Sequence, residues 1–223
     1  RGAQGLQQEA RLVPVTADGL LSFGTSVALS GDTAFVQSID VERSGSVHVF
    51  NHSGATWTEA QFLHASDGPE ENYFGRALAV SGDTLVIGAP GLAAETPGAA
   101  YVFTRDGSGV WSQQAKLTAD GGNPGGFGSA VAIEGDVIVV GAPFSSPGVP
   151  PETGAVYAFH ASGGGWVAEG RLEALFPEPL AWLGSSVALS GGRLLVGSPG
   201  ADAGNLEDSG AVNVFERSPE GAW

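Results

Sequence analysis

The sequence has no cysteine, no methionine and few basic residues, since lysine and arginine account for 9 of its 223 residues. Without cysteine, neither a disulfide framework nor a thiolate zinc site can form. Against these cations stand 24 acidic residues, so the formal net charge is −15. A surface this negative repels phosphate backbones and anionic headgroups. We therefore expect no nucleic acid partner, whereas cations, cationic protein surfaces and neutral glycans are possible ligands.

Long apolar runs are also missing, and none approaches the roughly 18 residues of a membrane span. We therefore expect no membrane insertion. Glycine and proline, by contrast, are abundant, with 36 and 13 residues. Such a composition would suit a disordered chain, but 42% of the residues are hydrophobic, which is enough to build a core. We interpret glycine and proline as turn residues of one large all-β domain.

One apolar hairpin pattern is present four times. The stretch RALAVSGDTLVIGAPG at residues 76–91 returns as SAVAIEGDVIVVGAPF from Ser129, as SSVALSGGRLLVGSPG from Ser185 and in a degenerate form from Thr25. A Phe-Gly or Leu-Gly pair precedes each copy, and the copies recur every ~50 residues. Each hairpin is followed by a variable loop, a third apolar segment and a Trp: GSVHVF 45–50, GAAYVF 98–103, GAVYAF 154–159 and GAVNVF 210–215, then Trp57, Trp111, Trp166 and Trp223.

Each copy predicts four short β-strands. Gly-Asp or Gly-Gly between the first two segments permits the positive φ of a tight hairpin turn. The second and third segments are almost continuously apolar, as in a sheet covered on both faces, and no apolar stripe has a helical period. Four-stranded units at this spacing are typical of a β-propeller, whose sheets bury their faces against neighbouring blades. We place the blades at approximately 23–64, 74–118, 127–173 and 183–223.

These motifs carry a family resemblance. The succession of FG, VxxxGAP and GAxYVF resembles the FG-GAP repeat of integrin α-subunit propellers, and is most similar to the bacterial type of that repeat. The resemblance extends over residues 6 to 223. It implies a β-propeller and an extracellular or cell-surface setting, but no particular ligand.

Integrin-type blades often carry a calcium loop of the form Asp-x-Asp-x-Asp-Gly between their first two strands. This sequence has SGDT, SGDT, EGDV and SGGR at that position. These turns offer too few oxygens for a cation that takes six to eight ligands. The calcium site of the family is therefore not carried over to these turns.

The positions within the repeat at which the sequence starts and stops allow three ways to complete the propeller. Residues 6–13 match a fourth strand without a blade of its own, and the last copy stops at Trp223, where its fourth strand would begin. One chain could form a closed four-bladed ring, or two chains an eight-bladed ring. The chain could also be an arc of a larger propeller, which has seven blades in integrins. The start at Arg1 and the abrupt end favour the arc, whose open edges would allow self-association.

The candidate binding residues lie in the second-to-third and fourth-to-first loops, which share one face of a propeller. Binding residues concentrate on loops held by a rigid scaffold. The sequence gives this face many carboxylates, whose simplest role is to solubilise the loops, and one Trp outside the regular pattern. The candidates are Asp67, Glu70, Glu71, Glu95, Glu152, Trp182, Asp202 and Asp208.

A calcium ion is the one cofactor for which the sequence offers a candidate segment. In GADAGNLEDSG, residues 200–210, oxygen ligands could come from Asp202, Asn205, Glu207 and Asp208. Oxygen donors of this kind suit calcium, but the spacing is not a recognised calcium motif. The four histidines do not cluster, so they indicate no further metal site.

Catalysis is the least favoured class of function. No G-x-S-x-G elbow occurs with a plausible histidine and acid. Glu70 and Glu71 beside Tyr73 could form the carboxylate pair of a glycosidase or lyase. The leading hypothesis is a non-catalytic extracellular binding or adhesion module that presents acidic loops to a protein or glycan. The alternative is a structural module that associates through blade edges. The polysaccharide-acting enzyme is third.

Overall fold

The computed structural model describes residues 8–15, 20–40, 44–67, 72–91, 98–119, 125–145, 152–202 and 206–223. These residues form four antiparallel sheets in chain order, and they contain no helix. Blade 1 consists of β1 (Leu20–Ser30), β2 (Thr33–Asp40), β3 (Gly45–Ser53) and β4 (Thr56–Leu63). Blade 2 consists of β5 (Ala77–Ser81), β6 (Thr84–Ala89), β7 (Ala99–Arg105) and β8 (Trp111–Leu117).

Blade 3 repeats this order with β9 (Ala130–Glu134), β10 (Val137–Ala142), β11 (Ala155–Ser162) and β12 (Gly165–Leu172). Blade 4 has three strands, β13 (Ser186–Ser190), β14 (Arg193–Ser198) and β15 (Ala211–Glu216). The prediction of an all-β fold made of about four antiparallel blades is thus confirmed. None of the described residues belongs to a helix long and apolar enough to cross a membrane.

The hairpin turns form where the sequence predicts them. Ser81 pairs with Thr84 across Gly82 and Asp83, so β5 and β6 are joined by a two-residue turn. The turn glycine has φ +58° here and the same value at Gly135, a conformation that glycine adopts without steric cost.

The hydrophobic core lies between successive blades. Three clusters of buried side chains join blade 1 to blade 2, blade 2 to blade 3 and blade 3 to blade 4. The repeated Trp contributes to these layers: Trp111 is 3% exposed and contacts Phe35 of the preceding blade edge to face at 5.0 Å. The recurrent Trp residues are therefore packing residues.

Two recurring glycines bring neighbouring blades together. Gly128 of the Phe-Gly pair has φ +97°, and a Cβ placed on it would overlap the carbonyl oxygen of Ala99 in the preceding blade. A Cβ placed on Gly141 would overlap the carbonyl oxygen of Gly184 in the next blade. The Gly of each Gly-Ala-Pro motif is therefore required because the backbone of the following blade packs directly on it.

The blades form an open arc. The first strands β1, β5, β9 and β13 contact one another in succession, but the described strands of blades 1 and 4 have no comparable packing between them. The described strands therefore do not form the closed four-bladed ring. The structure is compatible with both the arc and the two-chain ring, because in each of them the outer faces of blades 1 and 4 can contact a neighbouring blade.

The outer face of blade 4 exposes side chains whose counterparts are buried elsewhere. Val214 is 65% exposed, whereas Val102, at the equivalent position of blade 2, is completely buried against blade 3. On blade 1, Val27 and Leu29 are equally exposed. Both ends of the arc thus present apolar surface of the kind that holds the interior blades together.

Residues 8–15 lie against the outer face of blade 1 without strand pairing. Leu12 packs on the cluster formed by Ala34, Val36 and Phe50, and the Val15 N–H donates to Glu59 Oε2 at 2.7 Å. Within the described residues this segment does not complete blade 4. It lies on the side on which a preceding blade would lie, but its described residues form no strand.

Candidate ligand-binding cleft

A cleft of about 580 Å³ opens where the loops of blades 2, 3 and 4 meet. It lies at the end of the sheets that carries the second-to-third and fourth-to-first connections. A cavity of this size suits a small ligand or one segment of a larger one. The lining residues are Tyr73, Arg76, Pro90, Gly91, Gly125, Gly126, Ser129, Pro143, Phe144, Glu152 and Ser185.

Comparison of the four repeats shows which cleft residues differ from the residues at the same positions in the other blades. Arg76 stands where the other copies have a small hydroxyl residue, such as Ser129 or Ser185. Phe144 follows the Gly-Ala-Pro motif at a place that Gly91 holds in blade 2. Large side chains that depart from the repeat pattern therefore converge on one site, although the fold requires neither of them.

Three residues around the cleft have a backbone conformation that favours glycine. Tyr73, Glu152 and Trp182 have φ values of +54°, +53° and +54°. Tyr73 and Trp182 each directly precede a Phe-Gly or Leu-Gly pair, a place where blade 3 has Gly126 with φ +75°. A residue other than glycine with a positive φ lowers the stability of the fold, and such residues are often found at functional sites.

Gly126 provides the space for the aromatic wall of the cleft. A Cβ at Gly126 would meet the Phe144 ring at 2.9 Å, so any larger residue would displace the ring. Phe144 is 52% exposed, and the partly buried Tyr73 belongs to the same lining. The cleft thus combines an accessible aromatic ring with a second one on a strained loop.

The polar groups of the cleft are mostly held in place. Glu152 Oε2 accepts a hydrogen bond from Trp182 Nε1 at 3.1 Å. The hydroxyls of Ser129 and Ser185 each donate to a turn carbonyl at 2.7 Å, which leaves their oxygens able to accept. The exposed Arg76 guanidinium makes no ion pair with any other described residue.

The structure separates the sequence-predicted binding residues. Glu152 lines the cleft and Trp182 supports it, whereas Asp67 lies in an ion pair with Lys116 of blade 2 at 3.2 Å. Asp202 and Asp208 are exposed in the loop of blade 4 and are not part of the lining. Glu70, Glu71 and Glu95 lie outside the described residues.

Asp67 belongs to a charged contact between blades 1 and 2. Lys116 Nζ lies 5.4 Å from the centre of the Tyr101 ring. Burial raises the pKa of Tyr101 above its usual value. Burial opposes the charge on Lys116, but its hydrogen bonds with Asp67 and Tyr101 outweigh this effect and raise its pKa.

The candidate calcium segment is only partly described, because Asn205 lies outside the described residues. Asp202 accepts a hydrogen bond from the Asp208 N–H at 2.8 Å, and its own N–H donates to Glu178 Oε2 at 2.7 Å. Glu207 is exposed. Among the residues that the structure places, no group of three or more histidine and carboxylate side chains is arranged to hold a metal ion.

Sequence reasoning missed Arg76 and Phe144 as cleft residues. Both were visible in the sequence as departures from the repeat pattern, but that signal does not show which departures meet in space. It also missed a buried hydrogen-bonded trio on the outer face of blade 1.

This trio has the connectivity of a catalytic triad. His48 Nε2 lies 2.9 Å from Ser38 Oγ, and His48 Nδ1 lies 2.6 Å from Glu59 Oε1. Ser38 is completely buried, and its hydroxyl also contacts Ser46 Oγ at 2.8 Å. A nucleophile must reach the substrate carbon, which Ser38 cannot do in this conformation. The trio satisfies polar groups within a buried sheet face.

Comparison with protein families supports the repeat assignment. Residues 57–103, 111–159 and 166–215 match the FG-GAP repeat. Each matched unit begins at or near the fourth strand of one blade and ends at the third strand of the next, so the sequence repeat spans a blade boundary. These segments account for more than half of the chain.

The arrangement of sheets is similar to that in a solved structure of Sqt1 from Chaetomium thermophilum. The TM-score is 0.53 at 14% sequence identity, and the match covers 91% of this chain and 45% of Sqt1. The chain therefore spans less than half the length of that protein, and the likeness concerns the fold alone. Fold and repeats together are those of a binding or structural module.

Proposed function

Because the chain belongs to the FG-GAP repeat family, we propose that it is a non-catalytic extracellular binding module that holds a protein or glycan on its loop face. The observation that carries this proposal is the convergence of Arg76, Phe144 and Glu152 on one cleft. The packed layers between the blades hold the loops that supply these residues.

Binding to a combined glycan and protein array tests this function. We expect a reproducible ligand for the wild-type chain and loss of its signal for Glu152→Lys, which reverses a charge in the cleft. Asp136→Lys is the matched control, because Asp136 is an exposed acid in the turn at the opposite end of blade 3. The proposal fails if no ligand is found, or if both variants bind as the wild type does.

The non-catalytic part of the proposal has its own test at Ser38. A fluorophosphonate probe labels serines that are activated by a histidine and open to solvent. We expect no labelling of the folded chain, since Ser38 has no exposed surface. Labelling that disappears in Ser38→Ala would instead favour a hydrolase.

The extracellular setting is proposed from family resemblance, and calcium from the acidic segment 200–210. An antibody against the folded chain should label intact source cells or their medium without permeabilisation. Calcium binding is tested by titration calorimetry of the wild type and of Asp202→Asn with Asp208→Asn. A calcium signal that the double variant lacks would support the segment as its site, and identical traces would exclude it.

A structural role in assembly is the second candidate, and the open faces of blades 1 and 4 favour it. Exposed apolar patches on a sheet face invite association. Such a role predicts that the mass of the particle grows with concentration, whereas a binding module alone predicts a constant mass. The corresponding variants are argued below at the scale of the whole molecule.

A further inference from the structure

We propose that the cleft takes one acidic sugar of an otherwise uncharged glycan, with Arg76 holding the sugar carboxylate. The inference rests on the proposed function and names the ligand class for the same site. The cleft brings together an arginine without an ion pair among the described residues, an exposed aromatic ring and hydroxyl and carboxylate oxygens. Each of these groups matches one part of such a ligand.

Arg76 supplies the charge. A guanidinium presents paired N–H donors that fit a carboxylate in two parallel hydrogen bonds. Most other cationic side chains with described surroundings are already paired, as Arg105 is with Asp83 and Arg193 with Glu216. Arg76 is exposed, and it replaces the threonine or serine of the other repeats. A carboxylate on the ligand would give this arginine a partner.

Phe144 and Tyr73 supply the apolar wall. The flat face of a pyranose ring carries C–H groups that pack on aromatic rings, and an exposed ring in a cleft provides the surface for this contact. Phe144 is half exposed. Blade 2 has Gly91 at the equivalent position, so the repeat does not require a large side chain there. The backbone of Tyr73 has a positive φ, and its carbonyl accepts a hydrogen bond from the Arg76 N–H at 3.0 Å, so the two residues belong to one tight turn.

The remaining groups suit hydroxyls. Ser129 and Ser185 use their protons on turn carbonyls, so each oxygen can accept a hydrogen bond from a sugar hydroxyl. Glu152 adds carboxylate oxygens to the same lining, which can accept hydrogen bonds. Acceptors beside a single cation favour a ligand with one acid group and several hydroxyls.

The charge of the whole chain limits the number of acid groups. With a formal charge of −15, the chain repels a polyanion over the distance that salt leaves unscreened, about 10 Å at 0.1 M. One arginine cannot offset several carboxylates. A glycan with a single uronic acid therefore fits better than a polyuronic acid chain.

A peptide is the less favoured ligand because of the position of the cleft. Extended peptides commonly add to a free strand edge, whereas this cleft is lined largely by turns at the ends of strands. Peptides with one acidic side chain nevertheless belong in the test as a competing class.

Calorimetry with a panel of oligosaccharides tests the inference. Each probe is a neutral oligosaccharide that carries one glucuronic or galacturonic acid, and its partner is the same compound with the carboxylate reduced to an alcohol. We expect at least one acidic probe to bind about tenfold or more tightly than its reduced partner, because a charge-assisted pair is lost on reduction. Trigalacturonic acid should bind more weakly at low salt than the best mono-acidic probe.

Variants taken from the repeat itself identify the contacts. Arg76→Ser restores the residue of blades 3 and 4, and it should remove the preference for the acid without weakening the reduced form. Phe144→Gly restores the residue of blade 2, and it should weaken both forms by a similar factor. Arg193→Ser, which changes an exposed arginine of blade 4 outside the cleft lining, should leave all affinities unchanged.

The outcomes separate this inference from the proposed function. If the array yields a ligand but acid and reduced probes bind equally, or Arg76→Ser keeps the preference, the inference is wrong and the binding function stands. Tighter binding of an acidic peptide than of every sugar would also overturn it. If neither the array nor the panel yields a ligand, both proposals fail.

Discussion

Glycine is the residue on which the packing of neighbouring blades depends. In two consecutive blades, Gly88 and Gly141 lie where an added Cβ would overlap a carbonyl of the next blade. Blade 1 has Gln37 at this position, and its buried amide finds no hydrogen-bond partner among the described residues. In blade 1, the Gln37 side chain therefore makes the contact with the next blade that blades 2 and 3 make through backbone atoms.

The first prediction compares two glycines that are equivalent in sequence. Gly141→Ala should lower the free energy of unfolding by about 1–3 kcal/mol, because the new methyl group would force two fixed backbones apart. Gly197→Ala should cost clearly less, since there the Cβ would meet only the hydroxyl of Ser186. Urea denaturation of both variants checks this, and equal losses would contradict the inter-blade contact.

The second prediction concerns pH and the contact of Asp67, Lys116 and Tyr101. The pKa values of Lys116 and Tyr101 are raised in the folded chain, so above pH ~10 the folded state binds more protons than the unfolded state. Their contribution to stability is complete below the unfolded pKa values and is lost as pH rises through the folded ones. The chain should therefore become less stable above pH ~10.

The Tyr101→Phe variant isolates the tyrosine part of this effect. It cannot ionise, so its stability should fall less steeply between neutral and alkaline pH than that of the wild type. Tyr157→Phe is the control, since it removes a tyrosine from the next blade. Urea titrations at several pH values measure the slopes, and an unchanged slope for Tyr101→Phe would contradict the assigned pKa direction.

At the scale of elements, the fourth strand of each complete blade carries an irregularity, which in blades 2 and 3 provides a hydrogen bond to the next blade. The pairing of the third and fourth strands shifts by one residue at Ala60, Gln114 and Glu169. Such bulges turn a side chain away from the regular alternation. Gln114 accepts from Trp166 Nε1 at 3.1 Å, and Glu169 accepts from Trp223 Nε1 at 2.8 Å. The bulge therefore supports the Trp that packs between blades.

The third prediction follows for the end of the chain. Glu169 also pairs with Arg217, so Glu169→Ala should release residues 217–223 from blade 3. Loss of hydrogen bonds to a charged, partly buried group should raise amide exchange in this segment about tenfold or more. Gln114→Ala is the control, because it removes the equivalent bond of the preceding blade. Equal exchange at the tail in both variants would contradict the role of Glu169.

At the scale of the molecule, the open arc presents two complementary apolar faces. The face of blade 4 with Leu195 and Val214 is equivalent to the faces that receive the next blade in the interior. The face of blade 1 with Val27 and Leu29 is equivalent to those that cover a preceding blade. Contact between unlike faces of two copies generates a ring or a filament.

The fourth prediction is that the chain associates head to tail as concentration rises. Val214→Lys should reduce the mass measured by light scattering, because it places a charge in the contact. Val110→Lys is the control, since Val110 is an exposed valine in a turn away from both faces. A constant monomer mass for the wild type would show that these faces do not bind one another.

The sequence alone determined the blades, because the strands and turns of each blade depend on residues that are close together in the sequence. The two-residue turns, the apolar second and third strands and the recurring Trp follow from patterns within ~50 residues. Strand pairing between neighbours along the chain needs no information from elsewhere. For this reason the all-β fold and the order of the sheets could be predicted.

Only the tertiary structure decided which loop residues meet. Arg76, Phe144 and Glu152 belong to different loops, and their proximity depends on the angle between neighbouring blades, which no single stretch of sequence specifies. The packing of neighbouring blades also brings Asp67 to Lys116. Contacts within a blade follow from backbone periodicity, whereas contacts between blades follow from how side chains of distant repeats fill the space between sheets.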